Sequence, residues 1–158
     1  MGFKLSALLL GLAVMALVIW LLPLVSGNAH VTRLVHSFAP KPPSDGLVVQ
    51  LTFTPRIRTD LRALLEDADD IGCLTADRAE FRFQGDSVQL SVPFAEVKQV
   101  QRKHRGLRSL FVPRIVVVVP SLPNIKSFEF RERSSLLLPA SRRASRRLFE
   151  MLSAQLGN

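Results

Sequence analysis

The sequence predicts a mainly β protein: a small β barrel or sandwich capped by a C-terminal amphipathic helix, with one N-terminal transmembrane helix in front of it. Three observations predict this. Residues 5–25 contain no Lys, Arg, Asp, Glu or His; residues 77–92 and 126–133 alternate apolar with polar; and apolar residues recur at helical spacing beyond Ser141. At 158 residues the chain has room for one ordinary domain and an appendage.

The apolar N-terminal stretch matches the ~30 Å hydrocarbon layer of a bilayer at about 1.5 Å per helical residue. Trp20 suits the interfacial aromatic belt, and Pro23 falls where such a helix would end. Lys4 followed by small residues at 25–27 also fits a cleaved secretory signal that would leave a secreted domain. The apolar run nevertheless exceeds the roughly 7–15 residues of most signals, which favours an anchor. The organisation expected is an anchor at 1–27, a tether at 28–46 rich in proline (Pro40, Pro42, Pro43), and a β domain at 47–158. Positive charge is nearly balanced across the span, with Lys4 on one side and Arg33 and Lys41 on the other. The basic domain and the lone Cys73, which excludes an intrachain disulfide, favour a single-pass membrane protein with a cytoplasmic C-terminal domain.

Residues 47–54 read as a strand that Pro55 closes. Ile57, Leu61, Leu64, Leu65 and Ala68 then recur at helical spacing, with Thr59 as N-cap, so a short helix is expected up to Glu66, Asp67, Asp69 and Asp70. These acids lack the alternating ligands and central glycine of a calcium loop, and no metal is expected. Next comes a hairpin: Ala79, Phe81 and Phe83 point one way in 77–84, Gly85 and Asp86 turn the chain, and Val88, Leu90 and Val92 repeat the pattern. A third strand is expected at 95–101, perturbed by a bulge. Five consecutive β-branched residues at 115–119 predict a strand buried on both faces, and 126–133 returns to alternation with Phe128 and Phe130 inward. Closing these strands into a barrel would remove their edges. Ala144, Leu148, Met151, Leu152 and Gln155 share one side of the last helix, which needs an apolar surface to cover.

The run Gly72-Cys73-Leu74-Thr75, then Ala79-Glu80-Phe81-Arg82-Phe83, then Val92-Pro93-Phe94-Ala95-Glu96-Val97 resembles the pleckstrin-homology-like (PH-like) superfold, in particular its GRAM and bacterial PH branches. Those domains carry a Gly-x-Leu-x-Thr strand and an Ile-Pro-x-x-x-Ile step. The resemblance covers residues 47–156 and implies the barrel and its closing helix. Two departures stand out: the helix expected from Thr59, and the lack of the family's basic Lys-x-n-Arg-x-Arg loop. The resemblance therefore implies the fold and not the head-group site.

The formal charge is +8, and setting Lys4 aside leaves 20 basic against 13 acidic residues, a surface that prefers anionic company. No Asp or Glu occurs between Val97 and Phe128, where Arg114, Lys126 and a cluster of Lys98, Arg102, Lys103, Arg105 and Arg108 fall. Arg142, Arg143, Arg146 and Arg147 form a second group in the first turns of the last helix, where they add to the positive end of its dipole and call for a nearby anion. Both groups are candidate anion- or lipid-binding residues, and the expected function is a membrane-anchored, non-catalytic module contacting anionic lipid head groups. A protein-binding adaptor is the alternative. Nucleic acid fits less well, because Tyr is absent and the phenylalanines fall on inward positions. Gly85-Asp86-Ser87 resembles the opening of the GDS esterases, yet Ser87 enters a strand and no Asp-x-x-His follows, so neither catalytic residues nor a cofactor is expected.

Overall fold

The computed structural model describes residues 2–38 (backbone alone at 2–5, 18–27 and 38), 46–59, 68–104, 112–135 and 138–156. Its centre is one antiparallel sheet of seven strands: β1 (Leu47–Thr54), β2 (Asp70–Ala76), β3 (Glu80–Gly85), β4 (Gln89–Pro93), β5 (Gln99–Lys103), β6 (Arg114–Val118) and β7 (Ser127–Glu132). The spatial order is β4-β3-β2-β1-β7-β6-β5. Helix α1 (Gly2–Phe38) precedes the sheet and helix α2 (Leu138–Ser153) follows it.

Alternation along each strand decides which face becomes the core. Leu47, Val49, Leu51 and Phe53 of β1, Phe81 and Phe83 of β3, and Phe128 and Phe130 of β7 are all buried in one apolar cluster. The ring of Phe81 stands 5.9 Å from that of Phe130 and 6.3 Å from that of Phe128, both edge to face. Strands β3 and β7 are separated by β2 and β1, a spacing of roughly 14 Å across a flat sheet. Their rings meet only because the sheet curls. The result is a half-barrel where a closed or nearly closed barrel was expected, since among the described residues β4 pairs with β3 alone and β5 with β6 alone, leaving two edges.

Helix α2 fills the concave side. Its Leu148 and Leu152 are fully buried, each contributing about 1.5–3 kcal/mol by leaving water. Ser141 and Ser145 share this face.

The expectation of an N-terminal transmembrane helix is corrected: among the described residues no helix is long and apolar enough to cross a membrane. Instead of ending near Pro23, α1 continues through polar positions to Phe38. Val31 and Val35 pack with Val48 and Ile71 on the convex face of the sheet. The helix therefore occupies the first part of the expected tether, 28–38, while 39–45 lie outside the described residues.

Other differences are local. The core of the helix expected after Thr59, residues 60–67, lies outside the described residues. Asp70 opens β2, and its Oδ2 accepts hydrogen bonds from the backbone N–H of Ser87 (3.1 Å) and Val88 (2.7 Å), shaping the turn between β3 and β4. Asp69 accepts from the backbone of Phe53 (2.7 Å) and Arg58 (2.9 Å). These two acids bond the chain itself. Strand β3 begins at Glu80, because Asp77 instead accepts from the N–H groups of Ala79 (2.7 Å) and Glu80 (2.9 Å) in a turn. Phe94–Glu96 forms a 3-10 turn where a bulged strand was expected, and β5 starts later, at Gln99. Cys73 is buried on β2, and that burial pushes its thiol above the ordinary value.

Candidate anion-binding surface

The amphipathic pattern of α2 creates the surface. With Ser141, Ser145, Leu148 and Leu152 turned inward, Arg142, Arg143, Arg146 and Arg147 are left exposed on the outer side. Ser145 Oγ donates to the Pro113 carbonyl at 3.2 Å, holding the first turns against the start of β6. Ser141 Oγ donates to the carboxylate of Glu132, which also accepts from Ser134 Oγ (2.6 Å) and from the Ser135 N–H (2.8 Å). Glu132 is only 2% exposed, so these three donors are what make its burial tolerable. A carboxylate at the N-terminal end of α2 also suits the helix dipole. Part of the anion that the arginine cluster called for is thus supplied by the chain.

The structure divides the other predicted basic group. The guanidinium of Arg102 lies 4.1 Å from the ring centre of Phe149, a contact worth roughly 0.5–1 kcal/mol that joins β5 to α2 and brings Arg102 towards the helix arginines. Lys103 follows it in the strand and points to the other face. There its Nζ is 3.3 Å from Glu129 Oε1, while Arg114 holds Glu129 Oε2 at 3.1 Å. Lys98 lies at the opposite end of β5 from Arg102. Arg105 and Arg108 lie outside the described residues.

Lys126 falls in the acid-free stretch between Val97 and Phe128 but is not among the candidate binding residues read from the sequence. Register explains its relevance: Gln99 pairs with Val118 and Val118 with Ser127, so Lys98 and Lys126 each precede a strand at the same end of the sheet, on either side of β6. Nothing in the local pattern of either segment signals that β6 lies between them.

At the end where β7 finishes, α1 meets the sheet through polar groups. Arg133 donates from Nε to Gln50 Oε1 (2.7 Å) and from Nη1 to Asn28 Oδ1 (2.9 Å), and the Asn28 amide donates to the Ser135 carbonyl. Thr32 Oγ1 reaches the Arg133 carbonyl at 3.4 Å. Passing from Thr32 to Asn28 follows the chain from Arg133 to Ser135, so the earlier part of α1 extends beyond this end. Leu8, Leu9 and Leu10 are 60%, 57% and 68% exposed there.

Ser87 of the esterase-like tripeptide sits in the turn between β3 and β4, its hydroxyl accepting from Arg58 Nη2 at 3.0 Å. Among the described residues no three His, Cys, Asp or Glu side chains gather as a metal site. No protein-family model matches the chain, and a search of curated proteins finds no match.

Proposed function

We propose that the chain is a non-catalytic binding module of PH-like architecture, of the GRAM or bacterial PH type, that contacts anionic lipid head groups through the basic end of its half-barrel. The strand order and the helix on the concave face support the architecture. The observation that carries the function is the clustering of charge: Arg142, Arg143, Arg146 and Arg147 are exposed on one helix side, and Arg102 is held beside that helix by Phe149. Leu8, Leu9 and Leu10 of α1 are exposed as well and supply apolar surface to such a contact. At about 1 kcal/mol for each cation near an anionic leaflet, five arginines supply about 5 kcal/mol, enough for reversible attachment. The reading assigns the domain to the cytoplasmic side of a membrane, where such leaflets face it.

Sedimentation of the full chain with vesicles tests this. Binding is expected to anionic but not neutral vesicles, to weaken with salt, and to be lost when the four helix arginines become alanine. Equal binding to neutral vesicles, or none to either, would reject the proposal. A protein-binding adaptor is the second reading, favoured by the sheet edges at β4 and β5, where an extended peptide could add a strand.

A further inference from the structure

We propose that the cleft at the other end of the sheet binds an anionic amphiphile, its phosphate head between Lys98 and Lys126 and the first carbons of its chain against Val118, Leu122 and Ile125. The cleft has a volume of about 580 Å³ and these residues line it. That size lies within the usual range of small-ligand sites, about 300–1,000 Å³. Among the described residues its lining is largely apolar and holds no carboxylate, and both lysines are exposed. Glu96 in the adjoining 3-10 turn is engaged by Ser121, whose hydroxyl donates to Oε2 at 2.6 Å.

The cleft is built by the connection from β6 to β7. The backbone N–H of Lys98 donates to the Val118 carbonyl (2.9 Å), and that of Lys126 to the Thr54 carbonyl (2.7 Å), so both ammonium-bearing residues spring from fixed backbone. Asn124 adopts a left-handed conformation with φ 67°, reversing the chain so that Leu122 and Ile125 line the same space. A rim with two cations above an apolar floor complements a ligand with an anionic head and a short hydrocarbon segment. A bare anion leaves the floor unused. A neutral alkane leaves both lysines without a counter-charge.

Strand β5 separates this cleft from Arg102 by roughly 13 Å, so the site stands apart from the arginine surface. The test is an amide NMR titration of the full chain with hexyl phosphate, alongside hexanol and inorganic phosphate. Saturable shifts are expected at Lys98, Asn124, Ile125 and Lys126, with affinity falling about tenfold in K98A or K126A. Replacing the four helix arginines by alanine should leave these shifts unchanged, which separates this site from vesicle attachment. The proposal is overturned by the absence of saturable shifts, by an equal response to hexanol, by equal affinity for inorganic phosphate, or by indifference to both lysine substitutions.

Discussion

Arg133 donates a hydrogen bond through Nη1 to Oδ1 of Asn28 at 2.9 Å, joining residues 105 positions apart. Both side chains are buried, at 5% and 1% exposure. The bond lies where α1 meets the sheet, so this contact helps to hold the helix docked.

Substituting Asn28 by alanine removes an acceptor from a buried guanidinium and a donor from the Ser135 carbonyl. A loss of about 2 kcal/mol is expected, in keeping with hydrogen bonds to charged groups. Chemical denaturation measures it, and a change within about 0.5 kcal/mol of zero, the size of an ordinary surface substitution, would show that the contact holds nothing in place.

Gly72 is a more severe test. A Cβ there would come 2.2 Å from the Gln84 carbonyl oxygen and 2.6 Å from Gly85 Cα, both backbone atoms of the neighbouring strand. G72A must therefore push β2 and β3 apart, and a cost at or above the roughly 1–3 kcal/mol of ordinary overpacking is expected. Thermal unfolding of G72A beside G11A, where an added Cβ meets nothing within 4 Å, separates crowding from helix propensity.

Asp77 and Glu80 predict the acid limb of stability. The N–H groups of Glu80 and then Ala79, with Arg82 nearby, hold the Asp77 carboxyl below the ordinary aspartate value. The Ser91 hydroxyl and then Arg82 lower Glu80 in the same way. A folded-state value below the unfolded one stabilises the fold above the unfolded value of about 4, and the contribution disappears as pH falls through the folded value. Denaturation between pH 6 and pH 2 should show wild type losing stability below about pH 4, with a shallower decline in D77N and E80Q. Superimposable curves would contradict this.

Phe81, Phe83, Phe128 and Phe130 were legible as core because alternation reports a local face, and a face is enough to find the apolar cluster. The C-terminal helix was legible for the same reason, through Leu148 and Leu152. What alternation cannot report is which strands become neighbours. Lys98 and Lys126 were therefore invisible as a pair, and Arg102 and Lys103, adjacent in sequence, were assigned to one patch although the pleat sends them to opposite faces. Asn28 and Gln50 looked like ordinary polar residues, because their significance lies in sharing Arg133. The end of α1 was misplaced at Pro23, since the residues that prolong it, Val31 and Val35, are held by packing on Val48 and Ile71.

The docking of α1 onto the convex face has a thermodynamic consequence. A domain on a swivelling leash explores many headings and forfeits that freedom each time it engages a target. Here the orientational entropy is surrendered once, during folding, when Val35 settles beside the sheet. Weakening this joint should therefore let α1 reorient on the sheet while every arginine remains in place.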